Sequence, residues 1–220
     1  KKNHGNEFVA DALNKGVKYI ITDKKLDLNN KKNNVLLLDD ALLYLSIISN
    51  KKRNIFKGKV IGITGSVGKT TIKENLKYCL SFVSNVSASI KSYNNYLGVI
   101  VSLINMDCNC NFAIFEIGTN NFKEIRKLTS IILPQQVIVT NIFPTHLENF
   151  KNTRNVAVEK SDIFNPKFNP EVEFLILPNS NVDELFLHEE AKKTKISHIL
   201  TLGKEANSNY HIRKITRDKK

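Results

Sequence analysis

The residues of this chain best suited to phosphate chemistry are Lys69, Thr70 and Thr71, which follow Gly65 and Gly68 in "VIGITGSVGKTTIKENL", residues 60–76. The apolar run Val60 to Thr64 is a strand candidate, and the residues after Gly68 open a segment with helical character. Glycines at such a turn let backbone N–H groups point inward at an anion, and a helix N-terminus adds partial positive charge. A lysine there can reach β and γ phosphates, and a threonine hydroxyl can coordinate magnesium. The general phosphate-loop pattern G-x-x-x-x-G-K-[ST] requires glycine where this chain has Ile63, so the loop is the narrower variant T-G-x-x-G-K-T. Gly65, Ser66, Val67, Gly68, Lys69, Thr70 and Thr71 are the candidate nucleotide-binding residues.

Other candidates lie at or just beyond apolar runs. Glu116 ends "FAIFE", where a carboxylate is a poor core residue unless paired, which favours a metal-ligand role over an exposed strand-end acid. Asn141 and His146 follow the run beginning at Val137, and on residue type alone a lone loop histidine reads as a polar surface group. Lys160, in "VAVEKSDIF", reads on its own as a solvated helix lysine. Asn94-Asn95 is either a turn dipeptide or a pair of amides able to hold a polar substrate, and Asn120 and Asn121 follow Glu116 closely enough to shape the same cleft.

The elements that must position these groups are legible as alternating runs. Strand-like segments at Val60 to Thr64, Phe112 to Ile117, Val137 to Asn141, Phe174 to Leu177 and Ile199 to Leu202 are separated by helix-like segments. This alternation predicts an α/β fold with a mostly parallel sheet flanked by helices, in which ligands bind outside the carboxyl ends of the strands. Before it, residues 1–56 read as a small α/β piece. It has a helix through Phe8, Val9, Ala12 and Leu13, a stop at Gly16, runs at Tyr19 to Ile21 and Val35 to Leu38 on either side of the polar stretch 24–34, and a helix from Asp39 or Asp40 to about Ser49. The basic segment "NKKRNIFKGK", residues 50–59, reads as a linker.

Composition narrows the function classes. With 220 residues, 41% hydrophobic and 25% charged, the chain has enough apolar residues for a folded core rather than disorder. The net charge of +12 invites a polyanionic partner, but the lysines are scattered among many asparagines and no RNA-recognition, zinc-finger or basic-aromatic pattern appears, so nucleic acid is not expected. Three cysteines, Cys79, Cys108 and Cys110, without a CxxC pair fit a reducing cytoplasm. The longest apolar stretch, "ALLYLSII", is too short to span a bilayer, and no membrane insertion is expected.

Taken together, "GITGSVGKTTIKENL", "KSYNNYLGVIVSL", "FAIFEIGTNNFKEI", "VIVTNIFPTHLENF" and "VAVEKSDIF" resemble, in order and spacing, the Mur ligase superfamily. Asn94-Asn95 with Leu97-Gly98-Val99, and the stretch after Glu116, are similar to the branch that adds D-alanyl-D-alanine to UDP-MurNAc-tripeptide. The resemblance implies an ATP-dependent ligase of peptidoglycan precursor synthesis that works through an acyl phosphate. It implies ATP and two magnesium ions as cofactors, UDP-MurNAc-tripeptide and D-Ala-D-Ala as substrates, and a cytoplasmic monomer. Lys69, Glu116, His146 and Lys160 would be catalytic. Thr70, Glu116, His146 and a carbamylated Lys160 would ligate magnesium, Asn141 would help hold the nucleotide, and Asn94, Asn95 and Asn121 would contact substrate. Where the family has Leu-Asn-x-Asp-Asp, this chain has Asn179-Ser180-Asn181-Val182, so no role carries over there.

The same resemblance assigns residues 1–56 to part of a uridine-nucleotide-binding domain and 57–220 to an incomplete central ATP-binding domain, with the carboxyl-terminal domain absent. The chain is then expected to be a fragment, inactive or partly active by itself. Two other readings stay open: another Mur-type amide ligase, diaminopimelate-adding or folylpolyglutamate-like, and a nucleotide-binding module without ligase activity.

Overall fold

Residues 5–25 and 35–214 are described by a computed structural model, which divides into two compact units at Ser49/Asn50. Residues 26–34 of the polar stretch and 215–220 of the terminal basic run lie outside the described residues. In the first unit a 3-10 turn (Gly5–Phe8) leads into α1 (Val9–Asn14). Gly16 follows at φ 82°, a left-handed conformation that suits glycine. β1 (Ile20–Thr22) pairs in parallel with β2 (Val35–Leu37), Ile20 opposite Val35.

The division falls within α2 (Ala41–Ile55), whose start is fixed by Asp40 accepting the Leu43 N–H at 2.9 Å. Residues 50–55 therefore continue a helix instead of forming the expected linker. The reason is bonding that the basic composition hid: Arg53 is only 6% exposed and donates to the carbonyls of Ile132 and Leu133 and to Glu171. Lys52 donates to the carbonyl of Ile104.

The second unit runs β3 (Lys59–Thr64), α3 (Lys69–Ser81), β4 (Val86–Ala88), α4 (Tyr96–Asn105), β5 (Phe112–Glu116), α5 (Glu124–Ile132), β6 (Gln136–Val139), α6 (Leu147–Phe150), α7 (Thr153–Ser161), β7 (Phe174–Asn179), α8 (Val182–Lys192), β8 (His198–Gly203) and β9 (Tyr210–His211). Its seven strands pair in the order β4-β5-β3-β6-β7-β8-β9, all in parallel. The five expected strands are present. β4 and β9 are additions, too short to produce an apolar run.

Alternation along the strands sends side chains to opposite faces. Val60, Ala113, Phe115, Val137 and Val139 face one core with Leu103, Leu128, Val156 and Leu187 of α4, α5, α7 and α8. Ile61, Ile63 and Ile114 face a second, smaller core with Ile72, Leu76 and Leu80 of α3. Each fully buried aliphatic side chain of this kind contributes roughly 1.5–3 kcal/mol, so helices on both faces hold the sheet rigid. β3 lies between β5 and β6, and the chain leaves it towards β5 first and towards β6 later, which puts the topological switch point at its carboxyl end. Among the described residues, no helix is long and apolar enough to cross a membrane.

Candidate active site

The loop from Thr64 to Lys69 sits at that switch point. Gly65 has φ 146° and Gly68 φ 81°. A Cβ on Gly65 would meet Thr140 Oγ1 at 1.9 Å, so glycine there is required by both space and backbone conformation. The loop is braced from the β6 side. Asn141 accepts the Val67 N–H through Oδ1 at 3.0 Å and donates to the Val67 carbonyl through Nδ2 at 3.1 Å. Thr140 donates to the same carbonyl at 2.6 Å, and Ser66 exchanges hydrogen bonds with the Phe143 backbone at 3.0 and 2.9 Å. Asn141, expected to help hold the nucleotide, braces the loop here.

α3 begins with no side-chain cap, and its first intrahelical bond runs from Ile72 N–H to the Gly68 carbonyl at 2.9 Å. The amides of residues 69–71 consequently have no acceptor within the helix, the arrangement that receives an anion. Lys69 curls over the loop, its Nζ donating to the carbonyls of Gly65 at 2.9 Å and Ser66 at 3.3 Å. Burial lowers its pKa from the ordinary lysine value, with Glu116 opposing.

Glu116 closes β5 opposite Ile63 and is 2% exposed. Both of its carboxylate oxygens are bonded: Thr70 Oγ1 donates to Oε2 at 2.6 Å, and Asn94 Nδ2 donates to Oε1 at 2.7 Å. One acid thus joins the phosphate-loop helix to the loop before α4. Asn95 has a different task from its neighbour, capping α4 by accepting the Gly98 N–H at 2.9 Å.

Lys160 is 2% exposed, and among the described residues its Nζ has no hydrogen-bond or ion-pair partner. Its pKa is lowered to about 7, first by burial and then by the charge of Lys69, with Glu159 opposing. Of the charged groups acting on it, Lys69 of the phosphate loop disfavours its protonated form and Glu159 favours it. His146 is exposed, at φ 53°, with Nδ1 3.7 Å from Glu148 Oε1. No group of three or more His, Cys, Asp and Glu is arranged to hold a metal among the described residues, so Glu116 and His146 are not brought into such a cluster.

A cavity of about 180 Å³ opens beside Asn94, lined by Asn95, Thr119, Asn120, Glu124 and Lys127 among others. Asn121 lies at its edge, where its side chain and backbone N–H donate to Glu124 at 3.1 Å. Burial acts to raise the Glu124 carboxyl, but the donors from Asn120, Asn121 and Thr119 outweigh it and hold the pKa below the usual value. In the atypical turn, Asn181 caps α8 through the Glu184 N–H at 3.0 Å, and Asn179 donates to Asn207 and Ser208, both at 2.9 Å.

Two buried charges at the site had escaped the sequence. Lys73, with no exposed surface, lies one turn beyond Lys69 and bonds the backbone of Ser89 and Lys91. Glu159, 2% exposed, accepts the N–H groups of Lys123 at 2.7 Å and Ile125 at 2.8 Å and so caps α5. The available signal was helical spacing: Lys73 is i+4 from Lys69, and Glu159 is i+3 from the buried Val156.

The sequence profile described as "Mur ligase middle domain" matches residues 63–220. The UDP-N-acetylmuramoyl-tripeptide–D-alanyl-D-alanine ligase of Rickettsia prowazekii is 32% identical over 94% of this chain and 49% of its own length. A crystal structure of MurF from Acinetobacter baumannii superposes with a TM-score of 0.77 at 27% identity, covering 95% of this chain and 44% of that one. MurF from Thermotoga maritima in complex with ADP gives a TM-score of 0.73 at 26% identity, covering 94% and 46%. The chain spans about half the length of these relatives.

Proposed function

The chain belongs to the Mur ligase family, and we propose that the whole protein joins UDP-MurNAc-tripeptide to D-Ala-D-Ala, with ATP activating the tripeptide carboxylate as an acyl phosphate. The observation that carries this reading is Glu116, buried and held between Thr70 on the phosphate side and Asn94 on the other. A nucleotide-binding module needs the loop, but not a carboxylate tied through Asn94 to an amide-lined cavity. The similarity to a ligase that binds ADP and to relatives named for this substrate pair supports the same conclusion.

The residues fit the expected groups. Glycine at 65 and 68 keeps the loop free of side-chain bulk, and the open amides of 69–71 and the Lys69 ammonium suit a polyphosphate. Lys69 would exchange its two carbonyl acceptors for phosphate oxygens. A hydroxyl and a carboxylate 2.6 Å apart at Thr70 and Glu116 are the hard oxygen donors magnesium prefers. When bound, magnesium would neutralise phosphate charge. His146 supplies at most one exposed nitrogen to a second ion.

Attack of one anion on another requires opposing charge and alignment more than a strong base. Asn94 and the neighbouring cavity would orient the tripeptide end, and the braced loop would fix the phosphate end. Lys160, with a pKa of about 7, is about half neutral near pH 7, as carbamylation requires. The amine lone pair adds to the carbon of CO₂, one C=O electron pair moves to oxygen, and the amine proton leaves to water. A cation becomes an oxygen-donor anion at a point where Lys69 stabilises negative charge.

The test is product analysis with the full-length protein. ADP release that requires both UDP-MurNAc-tripeptide and D-Ala-D-Ala, with the pentapeptide product found by mass, is expected. ADP release with a single amino acid as acceptor in place of the dipeptide would move the assignment to another Mur-type ligase.

A further inference from the structure

Lys73 is among the largest fully buried side chains, yet it carries an ammonium. Burying an ion is costly unless it is paired and bonded, so its partners indicate what it is for. Nζ donates to the Ser89 carbonyl at 2.9 Å and to the Lys91 carbonyl, and it lies 3.1 Å from Glu74 Oε1. Lys91 has φ 47°, a left-handed conformation unfavourable for a residue with a side chain, and the bond to Lys73 is one of the contacts that hold it there.

The segment so held reaches Glu116 by two routes. Ser89 Oγ accepts the Glu116 N–H at 3.3 Å, and three residues beyond Lys91 the Asn94 side chain donates to Glu116 Oε1. Thr70, on the same face of α3 as Lys73 at i−3, donates to Glu116 Oε2. The bonds close a ring from α3 through Lys73, residues 89–94 and Glu116 back to Thr70.

We infer that Lys73 is a positioning residue, which ties residues 89–94 to the phosphate-loop helix and thereby sets where Asn94 presents its amide to the tripeptide substrate. The inference rests on the ligase reading above for the identity of that substrate. Lys73 does not brace the phosphate loop itself, which hangs from Thr140, Asn141 and Phe143. Loss of Lys73 should therefore weaken the peptide side and spare the nucleotide side.

The test compares wild type with Lys73→Met in the full-length protein, with Lys73→Gln as a second variant should methionine prevent folding. Expected are a KM for UDP-MurNAc-tripeptide raised about tenfold or more and a KM for ATP within about threefold of wild type. Hydrogen exchange should accelerate in residues 89–95 while α3 keeps its protection. A merely structural lysine would lower the melting temperature and leave the two KM values in their original ratio, and that result would overturn the inference. If the wild type does not turn over these substrates, the ligase reading fails separately. The exchange comparison then decides: unchanged protection of 89–95 in both variants refutes the tie.

Discussion

Arg53 and Lys160 are both buried cations of the larger unit, and their surroundings differ. Arg53, 6% exposed beside the amino end of β6, meets a carbonyl acceptor at Ile132, another at Leu133 and the carboxylate of Glu171. Lys160, 2% exposed, meets the opposing fields of Lys69 and Glu159 and no hydrogen-bond acceptor among the described residues. A buried charge with its bonds made closes the end of a helix and holds the scaffold. A buried amine without them is kept close to neutral, which makes it available for reaction. On the proposed function, Arg53 holds the scaffold and Lys160 serves the chemistry.

Substitutions can break or sharpen that contrast. The largest effect is expected at the chemical end: Lys69→Ala should lower kcat/KM by about 10²–10³-fold with a melting temperature near wild type, read by steady-state ADP release. Arg53→Ala should do the reverse. By stranding the Ile132 and Leu133 carbonyls it should cost about 2–4 kcal/mol in urea unfolding and leave kcat within about twofold below the melting transition. An activity loss as large as that of Lys69→Ala in a folded Arg53 variant would contradict the division.

Lys160→Met gives a pH-dependent signature in CO₂-free buffer. The folded pKa of about 7 lies below the unfolded value, so between the two the unfolded chain binds more protons and wild-type stability rises with pH. The methionine variant should be the more stable below pH 7, and its advantage should shrink by up to about 1.4 kcal/mol per unit towards pH 10. A pH-independent difference would show that the amine is not held neutral. The smallest effect belongs to Asn95→Ala, which removes the α4 cap and should cost about 1 kcal/mol of stability.

What was legible in the sequence follows from the same contrast. The loop from Gly65 to Thr71 can be read directly because its chemistry demands fixed residue types at fixed spacing. The five longer strands are legible because apolar runs must fill two helix-covered faces. Arg53 and Lys73 were not, since a lysine or arginine on a helix usually faces water and only the distant carbonyls of Ile132, Leu133, Ser89 and Lys91 reveal otherwise. β4 was hidden because "VSA" is three residues long with a serine at its centre. Asn94 and Asn95, adjacent and alike, took separate tasks that no pattern distinguishes: one reaches Glu116, the other caps a helix.

The claim that the carboxyl end of this sheet passes a phosphoryl group from ATP to a carboxylate is tested most directly by oxygen tracing. UDP-MurNAc-tripeptide labelled with ¹⁸O in the reacting carboxylate would be turned over with ATP and D-Ala-D-Ala by the full-length protein, and the released inorganic phosphate analysed by mass. Transfer of one labelled oxygen to phosphate per amide bond formed is predicted, because the acyl phosphate must break at its carbonyl carbon when the amine attacks. Unlabelled phosphate alongside normal amide formation would contradict the account.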